Sequence, residues 1–180
     1  MKRTFENPII GDVVHFVKYA QEPGGPDTVL DVDLKPGGGN ALHYHRSFDE
    51  HFECLAGELQ VQVGRQVRTL RPGDTATVPR GVHHRFFSTS SAPTRFRVTI
   101  SPGHAGFENM LKIAYGMAAD GLTDQRSTPK KFWQMGVAVH LSDTNVPGVL
   151  GLLMPLLRRA ARRAMADGRY EREMAPYTLA

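Results

Sequence analysis

With 180 residues, of which 41% are hydrophobic and 22% charged, the chain is long enough to enclose one core, so a single domain with an appendage is expected. The formal net charge of +4 argues against a nucleic-acid partner: residues 151–180 alone carry six Arg against three acidic residues, and no basic stripe with interleaved aromatics crosses the rest. No window approaches the roughly eighteen apolar residues of a membrane span, the first eight residues lack the apolar run of a leader, and the single cysteine, Cys54, fits a reducing compartment; a cytoplasmic protein is expected.

In chain order, residues 13–17, 28–34, 50–55, 58–63, 75–78 and 95–100 are β-branched or alternating, with Gly or Pro between most of them. Such short strands predict an antiparallel β-barrel or jelly roll over residues 1–103. The Gly-rich run 35–40 is followed neither by Gly-Lys-Ser/Thr nor by a helical pattern, so it reads as a bend rather than a phosphate cradle. Cys54 shares a strand face with Glu50 and Phe52 and is expected to be a small buried apolar residue.

After Ser101-Pro102-Gly103 the period becomes helical, and residues 104–180 are read as a helical extension. Phe107, Met110, Leu111, Ala114 and Ala118 fall on one stripe, stopped by Asp120-Gly121. Thr128-Pro129 reads as a cap opening a second helix through Phe132, Met135, Gly136 and Val139. A third stretch, 149–165, is interrupted by Pro155, which removes an amide donor and should split it. These helices are expected either to pack on the outside of the β-domain or on a partner subunit, or to cap its mouth as a lid. The apolar run before Arg158, Arg159, Arg162 and Arg163 also has the look of an interfacial segment. A solvated charged face is the simpler reading, and membrane contact is not expected.

Four residues stand out from this frame. His43 and His45 flank Tyr44 in an extended segment, so their imidazoles leave the same face. Glu50 opens the next strand, and two tight turns, Arg71-Pro72-Gly73-Asp74 and Pro79-Arg80-Gly81, bring the strand that begins at His84 back toward them. Three imidazoles and one carboxylate make a donor set for one divalent transition metal, with iron, manganese, nickel, copper, cobalt and zinc all compatible. His15, His51, His104 and His140 are read as ordinary hydrogen-bonded histidines, and His83 as pointing away from the face of His84.

These residues resemble the cupin family. The spacing Gly37, His43, His45, Glu50, Gly57 satisfies the first cupin motif throughout, and Gly73, Pro79, Gly81, His84 follow the second, with Ser88 where the family has Asn. The resemblance covers residues 37–88. It implies a single cupin domain with a mononuclear metal held by His43, His45, Glu50 and His84, a small-molecule ligand inside the barrel, and a homodimer. The activity it suggests is that of a small-molecule oxygenase, dioxygenase-like, acting on an enolic or phenolic substrate, with Glu50 as ligand and additional proton acceptor. A non-catalytic binding or sensory cupin and an oxygen-independent isomerase or lyase are the alternatives. Arg97 and His104 are the side chains that a closed barrel would bring to the mouth.

Overall fold

The structure, a computed structural model, describes residues 2–179. Among them nine strands form: β1 (Thr4–Asn7), β2 (Asp12–Lys18), β3 (Thr28–Leu34), β4 (Asp49–Ala56), β5 (Leu59–Val63), β6 (Gln66–Leu70), β7 (Thr75–Val78), β8 (His84–Phe87) and β9 (Thr94–Ser101). All pair antiparallel, in a six-stranded sheet of order β1-β2-β3-β9-β4-β7 and a three-stranded sheet of order β6-β5-β8. The ladders do not close on themselves. The connection between β3 and β4 is tied to β8 of the smaller sheet by isolated bridges, Gly39 to Phe87 and His43 to His84, and in place of a closed barrel the strands form a jelly-roll sandwich.

Alternation decides what faces inward. Glu50, Phe52 and Cys54 on β4 are buried, as are Phe96, Val98 and Ile100 on β9, and the register sets Glu50 opposite Ile100 and Phe52 opposite Val98. Cys54 is a fully buried core residue, as its place in the alternation predicts. On the outward face of the same sheet, in the neighbouring β3–β9 ladder, Arg97 lies opposite Asp31 and donates from Nε to its Oδ1 at 2.7 Å. Arg97 is thereby committed to the outside of the sheet. Gly39, at φ +150°, sits where a Cβ would meet the Phe86 carbonyl oxygen, so glycine lets this bend press against β8.

The helical extension comprises α1 (Ala105–Ala119), α2 (Phe132–Leu141), a 3-10 turn (Gly148–Leu153), α3 (Met154–Ala166), α4 (Arg169–Glu173) and a closing 3-10 turn (Ala175–Leu179). Pro155 falls in the first turn of α3, where its missing amide costs nothing, and the predicted split occurs there. The second helix starts later than Thr128-Pro129: Lys131 is its N-cap position. The reason is Asp124, whose Oδ1 accepts the amides of Arg126 and Thr128 at 2.9 and 2.8 Å and closes that stretch into a loop. His104 caps α1, its Nδ1 accepting from the Phe107 amide at 3.0 Å.

Two hydrophobic clusters result. The larger fills the sandwich around Phe16, Phe48, Phe52, Phe96 and Ile100; the smaller joins Ile113, Met117, Val137, Ala161, Ala164 and Met174 in the helical extension. Helix α1 serves both, because Phe107, Leu111 and Tyr115 turn toward the first cluster and Ile113 and Met117 toward the second. At the α2–α3 crossing Gly136 allows the helices to touch, since a Cβ there would run into the Leu157 carbonyl oxygen.

Candidate metal centre and cavity

The chain between β3 and β4 carries His43 and His45 without joining a ladder as a full strand. Its position is set by single contacts instead. The His43 amide donates to the His84 carbonyl at 3.0 Å, the His84 amide returns a bond to the His43 carbonyl at 2.8 Å, and the Gly81 amide donates to the His45 carbonyl at 2.6 Å. This clasp sets His43 beside His84, the first residue of β8. Glu50 arrives from β4 in the opposite sheet, across from Val78 and Ile100.

The four side chains converge. One donor atom from each of His43, His45, Glu50 and His84 lies within 4.8 Å of the others. Two donors about 2.1 Å from one ion are about 3 Å apart at right angles and about 4.2 Å apart when opposed, so the cluster fits a single divalent metal with only a slight contraction. Glu50 Oε1 is 3.8 Å from His45 Nε2, and Oε2 is 2.8 Å from His84 Nε2. That second separation is short but lacks hydrogen-bond alignment, and neither Nε2 has a hydrogen-bond partner among the described residues. Buried ring nitrogens left unpaired by the protein are what a metal site presents.

Second contacts orient the rings. His43 Nδ1 donates to the Ala41 carbonyl at 2.8 Å and His84 Nδ1 to the Val82 carbonyl at 2.9 Å. Each bond places the proton on Nδ1 and leaves Nε2 with its lone pair toward the cluster. His45 is stacked on Phe48, centroids 4.4 Å apart, and Phe107 meets His45 edge-on at 5.8 Å.

Electrostatics follow from this crowding. Burial, with the neighbouring imidazoles of His84 and His45, pushes His43 down to about 4. Burial also lowers His45. For His84 the burial penalty is outweighed by the Glu50 carboxylate, and its pKa is raised. Burial works against the ionised form of Glu50, yet His84 and the charges of the other two histidines hold it below the usual carboxylate range. A buried carboxylate ringed by imidazoles is a base matched to a cation.

A cavity of about 320 Å³ opens beside the cluster, and His43 and Glu50 face it. Its walls include Val14, Leu30, Val32, Phe52 and Val98 from the six-stranded sheet and Phe86 from β8, while Phe107, Met110, Leu111 and Tyr115 of α1 close one side. Of the helical extension, α1 is the helix that walls this cavity. Arg97 and His104 line none of it, being engaged with Asp31 and as the α1 cap. Tyr44 turns away and packs on His83, centroids 5.1 Å apart.

Residues that the sequence reading did not single out support the site from the extension. Asp143 Oδ2 accepts the amides of Arg46 and Ser47 and the Ser47 hydroxyl, pinning the loop between His45 and Glu50. Asn145 pairs with Tyr44 through two backbone bonds of 2.9 Å, and Arg158 donates to its Oδ1 at 2.6 Å. These partners lie about a hundred residues from the motif and carry no local signature that would have revealed them.

A two-sheet jelly roll with three imidazoles and a carboxylate gathered between its sheets defines a metal-site protein of the cupin type. Residues 30–101 match the family model described as Cupin_2, Cupin domain, and the chain belongs to the cupin superfamily. A solved RmlC-like cupin from Shewanella frigidimarina NCIMB 400 shares the fold: TM-score 0.50 and 21% identity over 59% of this chain and 89% of that one. The chain also matches a structure described as a sugar phosphate isomerase from a cupin superfamily, from Silicibacter pomeroyi (28% identity, 52% of this chain and 62% of that one, TM-score 0.45). A third match is a predicted oxalate decarboxylase from Thermotoga maritima (19% identity, 49% and 78%, TM-score 0.47). No curated protein matches the chain. No helix among the described residues is long and apolar enough to cross a membrane.

Proposed function

We propose that His43, His45, Glu50 and His84 hold one divalent transition metal and that the protein is a dioxygenase-like oxygenase acting on an enolic or phenolic small molecule in the cavity. The observation that carries this reading is the character of the walls. Beside the two cluster residues the lining is largely aliphatic and aromatic, and it contains no Lys or Arg. A phosphorylated sugar or a small dianion would find no cationic side chain there, whereas a flat apolar body with one acidic hydroxyl fits. When bound, the ion would supply Lewis acidity and open coordination positions for substrate and dioxygen.

The protein's own residues prepare that chemistry. The Ala41 and Val82 carbonyls hold two imidazoles in the ligating tautomer, and Phe48 and Phe107 keep water from His45. Glu50, ionised and facing the cavity, is the carboxylate placed to receive the substrate hydroxyl proton. The same reading includes a homodimer, with the exposed Val149, Leu152 and Leu156 offered to a second copy.

The test is oxygen consumption by protein loaded anaerobically with iron, manganese, nickel, copper, cobalt or zinc, against a panel of enols, 1,3-diketones and phenols. Uptake dependent on both a metal and one member of the panel is expected. Binding of panel members without uptake under any metal would overturn the oxygenase in favour of a binding module. Turnover that persists without oxygen would replace it with an isomerase or lyase.

A further inference from the structure

The cavity has a second polar feature away from the motif residues. Asp12 opens β2 on the same face as Val14, and both line the cavity. Its side chain is almost wholly enclosed, at 6% exposure. Oδ2 accepts from the Tyr115 hydroxyl of α1 at 2.7 Å, and Tyr115, also 6% exposed, lines the cavity too. Oδ1 is buried and has no hydrogen-bond partner among the described residues. Lys35, the cation whose charge acts on Asp12, makes no hydrogen bond to Oδ1.

An unpaired buried carboxylate oxygen is costly, about 1–3 kcal/mol or more, and is retained where something completes it. Neither Asn40 nor Thr144, the amide and hydroxyl side chains that also line the cavity, bonds to it, and most of the remaining lining, Val14, Val32 and Leu111 among it, offers no donor. An ammonium would add its own desolvation cost in such walls, whereas a hydroxyl brings a donor without a second charge. Asp12 and Tyr115 both lie outside residues 30–101, so this feature belongs to this chain's flanking segments rather than to the matched domain.

We propose that Asp12 Oδ1 is an acceptor subsite that binds a hydroxyl of the ligand, with Tyr115 as the residue that positions the carboxylate. The ligand class is then an apolar molecule with two polar points: an oxygen for the cluster at His43 and Glu50, and a separate hydroxyl for Asp12. The subsite rests on the cavity being the ligand site, but not on the metal or on oxygen chemistry.

The experiment compares two isomers of one size, 1-hexanol, which donates a hydrogen bond, and 1-methoxypentane, which only accepts. Each is titrated into the full chain, with and without prior EDTA treatment, and followed by NMR of the cavity methyl groups. The alcohol is expected to bind about tenfold tighter in both preparations, the factor one hydrogen bond to a buried carboxyl oxygen provides. In Asp12→Asn, Tyr115 keeps its bond to the amide oxygen and the amide N–H faces the cavity, so the preference falls to about twofold or less. Tyr115→Phe frees the carboxylate from the bond that fixes it, so the preference falls to a value between those of the parent and Asp12→Asn. Equal binding of the two isomers by the unaltered protein, or an unchanged preference in Asp12→Asn, would overturn the subsite. A purely structural Asp12–Tyr115 tie would lower the melting temperature of both variants without moving the ratio, which also overturns it. Because the comparison needs no metal, its failure would leave the metal reading untouched, and the reverse holds.

Discussion

The sandwich and the helical extension are held together by different means. In the sandwich, large side chains from facing strands fill the interior, and register fixes which residues reach the cluster. In the extension, the small second core uses Ala161, Ala164 and Gly136 to let helices approach, and leaves Val149 and Leu152 about four-fifths exposed. The cluster sits on the first region; the second acts on it through α1, which walls the cavity, and through Asp143 and Asn145, which clamp the loop carrying His45. Positioning and covering are thus assigned to separate parts of one chain.

The sharpest way to break this division is to remove a donor from the cluster. His84→Ala and Glu50→Gln are each expected to lower metal affinity by orders of magnitude, since even changes behind the ligands cost about 10 to 100-fold. Metal content after a chelator challenge measures this, and full stoichiometry in either variant would refute the ligand set. Met117→Ala probes the other side. Truncating this fully buried side chain should destabilise by about 2–5 kcal/mol, seen in denaturant melts, while metal content in the native protein stays unchanged. A loss of metal in this variant would show that the two regions are not separable.

The smallest effect concerns the outer face of the sandwich. Burial opposes the charge of Asp31, but the hydrogen bonds and charges of Arg97 and Arg95 outweigh it and hold the carboxyl below its ordinary 3.8. A depressed carboxylate stabilises the fold above its unfolded pKa, and that contribution is lost as pH falls through the folded value. Asp31→Asn should therefore cost about 1 kcal/mol at pH 7, a figure reduced by the partial exposure of both arginines. The gap between variant and parent should close as pH drops below about 4, measured by paired urea melts. A constant gap across that range would assign the loss to packing instead.

Legibility in the sequence divides along the same line. The quartet His43, His45, Glu50 and His84 was readable because its spacings are imposed by local geometry: alternation for the His pair, and tight turns for His84. Strands with alternating apolar residues were equally visible. By contrast β6 is exposed at four of its five positions and carries no alternation to read, and β1, although it alternates, is only four residues long. The delayed start of α2 depended on Asp124 capturing two amides, a contact that competes with helix initiation and leaves no periodic mark. Asp12 and Tyr115, 103 residues apart, meet only because α1 folds back over the sandwich, and no motif joins them.

The carbonyls that orient His43 and His84 carry one more consequence. Each lies two residues upstream of its histidine, on Ala41 and Val82, and a carbonyl is common to every residue type. Ala41 lines the cavity, and its backbone oxygen holds the imidazole proton. Exchanging its side chain would reshape the pocket yet leave the lone pair of His43 aimed as before. Under the proposed function, selectivity for the guest and affinity for the ion would be adjustable independently at that residue, which makes position 41 the natural place to retune the cavity.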